Sequence, residues 1–374
     1  MWRRIRPGAF RGRFREPRAP GAAGFVILNA GGPAAPGAGG AECGGSVVVQ
    51  EAVCAGLERR GRPMVFWHIQ KAAGSSMCLM ALENGERVRT DAAHPAYGRG
   101  CAEALTPAEE GAREAGPCHY DCRPEHDQLR AFQFGTHRAQ EEALEQLFAR
   151  DELTFVAPEY LMSRRGYAPR RDVYTLTALR DPKSRLLSTY YYQAVHEPHH
   201  LGILLGQKTT ALVDYLEYLR ETQQDQVRGR DRSRSDRGTD DANTIDQYMI
   251  RFYLGLRTVP QAIGADDLAA AKAVLREKMQ FVLVTERLGE AGCLLGKLGW
   301  DGEVPVSGAR YPSLTEVFWE EVTLEKERER REPAAAALLD NITAFDEELY
   351  AYAVELFEEQ LALCKCCGGP GDDP

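Results

Sequence analysis

Met64-Val-Phe-Trp-His-Ile-Gln-Lys-Ala-Ala-Gly-Ser-Ser76 reads as a strand, a turn of small residues and the start of a helix. Met64 to Ile69 is an almost wholly apolar run of strand length. Gln70 to Gly74 forms a short loop. Ser75 then opens an apolar stretch (Met77, Leu79, Met80, Leu82) that suits a helix. A helix start presents free backbone N–H groups and the positive end of a dipole, which together attract phosphate-like anions. Lys71 adds a mobile charge, Ser75 and Ser76 add hydroxyl donors, and Gly74 lets backbone approach a ligand. Read alone, the loop fits either an anion site or an ordinary capped helix. It is not a Walker A loop, which needs GxxxxGK[ST]. The nearest string, Gly292 to Leu298, has the wrong spacing and no hydroxyl.

A second strand-to-helix corner lies further along. Val173 to Leu179 is β-rich and nearly continuous in apolar character, as expected of a strand buried on both faces of a parallel sheet. It runs into Arg180-Asp-Pro-Lys-Ser-Arg-Leu-Leu-Ser188, with Pro182 suited to the first turn of a helix over 183–195. The planar fork of Arg180 could grip a phosphate in bidentate fashion. An Arg180 paired with a surface carboxylate is the plainer alternative.

Between and beyond these corners, short strands are expected at 131–136, 153–157 and 281–285. Helices are expected at 139–150, 244–254, 265–278, 286–298, 313–330 and 344–363. Residues 83–129 read as an irregular surface insertion, and 223–241 as a polar, low-complexity loop. Strands alternating with helices give an α/β domain with a central, mainly parallel sheet flanked by helices. In such folds ligands sit beyond the carboxyl ends of the strands. Both corners lie there, and so does His137.

The chain has 374 residues, 44% of them hydrophobic, which is ample for one sizeable core. Its net charge of −9 argues against a nucleic-acid binder and against a dense polyanion as substrate. Residues 1–62 begin with an arginine-rich stretch and continue through Gly, Ala and Pro, so disorder is expected there. The domain is placed at 63–363, with a Cys/Gly tail at 364–374. No run is long and apolar enough to span a bilayer. Ten cysteines allow disulfides if the compartment is oxidising. Cys118 to Cys122 with His126 lacks the CxxC spacing of common zinc modules, so no metal is expected.

Taken together, the two corners resemble the two motifs by which sulfotransferases bind 3′-phosphoadenosine 5′-phosphosulfate (PAPS). The closest likeness is to the Golgi carbohydrate sulfotransferases, especially the heparan sulfate 6-O-sulfotransferases. Phe66 to Lys71 matches their Phe-x-His-Ile-Gln-Lys loop, and Leu179 to Ser188 their Leu-Arg-Asp-Pro-x-Ser-Arg-x-Leu-Ser run. Weaker matches are Phe281 to Glu286, the spaced Asn243, Gln247 and Arg251, and Asp346 to Ala353. The chain departs from the pattern at Ala72-Ala73, where Thr-Gly is usual, and no N-terminal membrane anchor is expected from its sequence.

The resemblance implies a P-loop NTPase-like sulfotransferase fold and a carbohydrate acceptor in the Golgi lumen or at its membrane; a soluble or organelle-targeted protein is the alternative. Lys71 would neutralise charge on the leaving oxygen. Lys71, Gly74, Ser75 and Ser76 would hold the 5′-phosphosulfate, and Arg180 and Ser188 the 3′-phosphate. The product would be adenosine 3′,5′-bisphosphate. A hydroxyl acceptor needs a base, and histidine suits that role near neutral pH. His137, in a Gly-x-His setting similar to the family's, is the chosen base, ahead of His119, His126 and His196. A P-loop-like phosphotransferase and a non-catalytic carbohydrate-binding relative are the alternatives. A neutral or lightly charged glycan is the preferred acceptor.

Overall fold

The computed structural model describes residues 54, 57–59, 61–88, 137–149, 153–158, 162, 172–196, 212–227, 247–256, 262–300 and 332–367. All lie in one compact unit, Ala41–Pro374. In chain order the elements are β1 (Met64–His68), α1 (Gly74–Glu83), α2 (His137–Ala149), β2 (Phe155–Val156), β3 (Tyr174–Leu179), α3 (Pro182–His196) and α4 (Leu212–Val227). They continue with α5 (Tyr248–Leu254), α6 (Ala265–Lys278), β4 (Phe281–Val284), α7 (Gly292–Lys297) and α8 (Pro333–Cys366).

The four strands form one sheet in the order β2-β1-β3-β4, and every pairing is parallel. Side chains alternate across its two faces, as strand geometry requires. Val65, Trp67 and Ile69 enter a core with α2, α5 and α6. Met64 and Phe66 enter another with Met77 and Met80 of α1 and Leu294 of α7. The sheet is therefore covered on both sides. This explains why β1 is almost wholly apolar and why every residue of β3 is buried, its threonines included. Thr175 and Thr177 are the polar residues this burial must satisfy: the Thr177 hydroxyl donates to the Trp67 carbonyl at 2.8 Å, and the Thr175 hydroxyl bonds to the Lys278 carbonyl.

The register sets the site. His68 pairs with Ala178, and Leu179 with Val284, so β1, β3 and β4 end side by side. The loop after Ile69, the corner at Arg180 and the chain at Glu286 consequently emerge along one edge.

Helix α8 spans 34 residues, roughly 50 Å at 1.5 Å per residue. Its first turns pack Leu338, Leu339 and Ile342 against α3 and α4. Its middle enters one face of the sheet core, and Phe357 and Leu361 enter the other. Asp346 of α8 accepts from the Met249 and Ile250 N–H groups, both at 3.0 Å, and so caps α5 from outside that helix. Gln247 lies against the same stretch of α8. Its side-chain oxygen accepts from the Phe345 and Asp346 N–H groups, each at 2.9 Å, and its own N–H donates to the Ile342 carbonyl at 3.2 Å.

Several expected boundaries move. Helix α4 was not expected. Leu212, Tyr215, Leu216 and Leu219 form its buried stripe, and residues 223–227, assigned to the polar loop, are its last turn. The helix expected at 286–298 is a 3₁₀ turn (Thr285–Glu290) followed by α7. Helix α8 starts at Pro333 rather than 344, with proline at its first position, and runs on through Cys366. The expected strand at 131–136 and helix at 313–330 lie outside the described residues.

Folded structure also starts before residue 63. Leu57 is buried, and Cys54 is disulfide-bonded to Cys367. Cys293 is bonded to Cys364, and Cys78 and Cys366 are disulfide-bonded as well. Cysteines 364–367 thus fasten the end of α8 rather than begin a loose tail. Arg59 pairs with Glu86 through both guanidinium nitrogens, and Trp300 Nε1 donates to the same carboxylate at 2.9 Å. Burial pushes the Glu86 carboxyl up, but hydrogen bonds from Arg59, Thr154 and Trp300 outweigh it and hold the group below the ordinary glutamate value.

A pH dependence follows. With its folded-state value depressed, Glu86 stabilises the fold above the unfolded carboxyl range, and this is lost as pH falls through the lowered value. The stability difference between wild type and Glu86→Gln, taken from urea melts, is expected to be full at neutral pH. It should shrink below about pH 4. A difference that is constant with pH would contradict this account.

Candidate active site

The loop between β1 and α1 is tight. The Ala72 N–H donates to the Ile69 carbonyl at 3.1 Å. Lys71 and Ala73 both sit in the left-handed region, at φ 65° and 60°. Non-glycine residues there cost of order 1 kcal/mol each and cluster at functional sites. Ala73 occupies the N-cap position of α1 and offers no side-chain acceptor to the first-turn N–H groups. Glycine at 73 would relieve the backbone. Ala73→Gly is expected to raise stability by about 0.5–1 kcal/mol in a urea melt, and a loss of stability would refute the strain assignment.

Gly74 is also required by packing. A Cβ placed there would lie 1.9 Å from the His68 imidazole. The glycine accommodates that ring, which stacks on Phe66 with centroids 5.5 Å apart. His68 therefore lies beneath the loop, as a strand residue packed under the turn.

At the second corner, Asp181 caps α3. Its Oδ1 accepts from the Ser184 N–H at 2.7 Å, with Pro182 as the first helical residue. Arg180 leaves the end of β3 half-buried. Its Nη1 donates to the Lys71 carbonyl at 3.2 Å, which joins the two loops directly. Its Nε lies 3.9 Å from Glu286 Oε1. Burial pulls the guanidinium's pKa down, and the carboxylates of Glu286 and Asp181 oppose that pull. One turn into α3, Arg185 is buried, with its guanidinium 4.3 Å above the Tyr248 ring. An aromatic face supports a cation in this way. Lys183 pairs with Asp340 and Glu347 at 2.5 and 2.9 Å, tying the corner to α8.

No protein-family model matches the chain, and no curated protein does.

Of the residues singled out from sequence, Lys71 and Arg180 are brought into contact. Ser76 lies in the first turn of α1, and Ser188 lies in α3 about two turns past Arg180; both are partly exposed. Ser75 lies in α1, with its side chain outside the described residues. His137 is the first residue of α2, not a residue ending a strand, and its side chain too lies outside the described residues. Tyr190 and Tyr191 are core residues beside Tyr215.

Glu286 is the participant whose role was missed. Its two oxygens accept from the Asp181 N–H at 3.0 Å and the Tyr350 O–H at 2.9 Å. Only the match of Phe281 to Glu286 with a strand ending in Thr-Glu hinted at it.

Proposed function

We propose that this protein is a PAPS-dependent O-sulfotransferase acting on a carbohydrate hydroxyl, on a P-loop-like α/β fold. The observation that carries the reading is the Arg180 Nη1 to Lys71 carbonyl contact. It joins the two corners at the carboxyl ends of adjacent parallel strands, where such folds bind ligands. The strained, uncapped loop before α1 adds support.

In the reaction, the acceptor oxygen attacks sulfur. The bond from sulfur to the bridging phosphate oxygen breaks, and adenosine 3′,5′-bisphosphate leaves. Lys71 stabilises the charge developing on that bridging oxygen. His137 takes the hydroxyl proton. Ser75, Ser76 and the Gly74 backbone hold the 5′-phosphosulfate, while Arg180 and Ser188 hold the 3′-phosphate. The chemistry requires no metal.

A Golgi lumenal setting is part of the proposal. The disulfides at Cys54–Cys367 and Cys293–Cys364 support it, since such bonds persist in oxidising compartments. Among the described residues, no helix is long and apolar enough to cross a membrane.

The test is calorimetry on the full chain with adenosine 3′,5′-bisphosphate and with AMP. Clear preference for the bisphosphate is expected. Equal or absent binding would remove the sulfotransferase reading.

A further inference from the structure

Glu286 lies two residues past the end of β4, in the 3₁₀ turn that follows it, beside the end of β3. Both of its carboxylate oxygens are committed: Oε1 to the Asp181 N–H at 3.0 Å, and Oε2 to the Tyr350 O–H at 2.9 Å. Held at both oxygens, the group cannot swing away without breaking contacts to two other segments of the chain. Oε1 also lies 3.9 Å from Arg180 Nε. On the opposite side, Arg180 Nη1 donates to the Lys71 carbonyl at 3.2 Å. The guanidinium is therefore held by a hydrogen bond on one side and faces a carboxylate at ion-pair distance on the other, and no hydrogen bond joins its Nη2 to the described residues.

A free arginine side chain carries about 2 kcal/mol of rotamer entropy, which must be given up when it grips a ligand. An arginine already held loses less. A carboxylate beside an anion site would ordinarily repel the ligand. It helps only if orienting the cation outweighs that repulsion, and two rigid anchors on Glu286 favour orientation.

We propose that Glu286 is a positioning residue for Arg180. Its charge draws the Nε edge, leaves the Nη2 end for the 3′-phosphate of the sulfuryl donor, and through Tyr350 makes that aim depend on helix α8. The proposal rests on the sulfotransferase reading and adds to it the residue that sets 3′-phosphate selectivity.

The experiment measures binding of adenosine 3′,5′-bisphosphate and of AMP to the full chain. The variants are wild type, Glu286→Gln, Arg180→Ala and the double variant. Glu286→Gln is expected to weaken bisphosphate binding about 10-fold, the scale of one charge-assisted contact, and to leave AMP binding unchanged. In the Arg180→Ala background the same substitution should add nothing, because its effect runs through Arg180. Tyr350→Phe, which keeps the charge but frees Oε2, is expected to cost about 3-fold, again for the bisphosphate alone.

The positioning role is overturned, with the sulfotransferase reading intact, by any one of three results in a protein that prefers the bisphosphate. These are unchanged or tighter bisphosphate binding in Glu286→Gln, an equal loss for AMP, and a loss that persists without Arg180. A wild-type chain with no preference for the bisphosphate removes the underlying reading and this proposal with it.

Discussion

His137→Ala is expected to lower turnover by about 10²–10⁴-fold, the range associated with losing a general base. The acceptor hydroxyl is a weak nucleophile until its proton has somewhere to go, and imidazole is the side chain best matched to that task near neutral pH. The loss should fall on kcat. The dissociation constant for adenosine 3′,5′-bisphosphate should stay at its wild-type value, because proton removal takes no part in holding the donor. The acid limb of the pH–rate profile should also disappear in the variant. A variant that retains turnover would take His137 out of the mechanism. One that loses turnover and bisphosphate binding together would point to a structural role at the start of α2.

Arg180→Ala is the second large effect. Hydrogen bonds to charged groups contribute about 1.5–3 kcal/mol each, so bisphosphate affinity should fall by roughly 10- to 150-fold. AMP, which has no 3′-phosphate, should bind as before. Arg180→Lys should restore only part of the loss, since an ammonium can supply the charge but not the planar fork. Removing Arg180 also breaks its bond to the Lys71 carbonyl. Some loosening of the first loop is therefore expected, visible as faster amide exchange around Lys71. Equal loss for AMP and bisphosphate would show that the substitution acts through that loop rather than through a 3′-phosphate contact.

Much of the α/β frame was legible because the sheet is buried on both faces. Met64 to Trp67 carries apolar side chains on both sides of the strand, Tyr174 to Leu179 adds only threonines to a β-rich apolar run, and that pattern belongs to a covered parallel sheet. Helix α6 matched at both ends because Asp266 and Asp267 open it and Arg276 and Lys278 close it, charges arranged to suit the dipole. Helix α4 escaped notice because its apolar stripe ends at Leu219 and its last turns merge into a polar run.

At the site, residue types and spacing were informative, but contacts were not. Arg180 and Lys71 are 109 positions apart, and only the strand register brings them together. The part played by Glu286 depends on three chain segments meeting, which no local pattern encodes. The need for glycine at 74 to clear a ring six residues earlier in the chain was equally invisible. The pairing of cysteines was equally hidden, because spacing along the sequence says nothing about which sulfurs meet in the fold.

The bond between Cys54 and Cys367 turns most of this chain into a covalent ring. A protease that cuts once, anywhere from residue 55 to residue 366, opens the ring without releasing either piece. A clipped molecule therefore keeps both halves at high effective concentration, able to re-dock without diffusing apart. Electrophoresis without reductant would count it as whole. Adding thiol to the same sample would reveal the cut as two shorter chains.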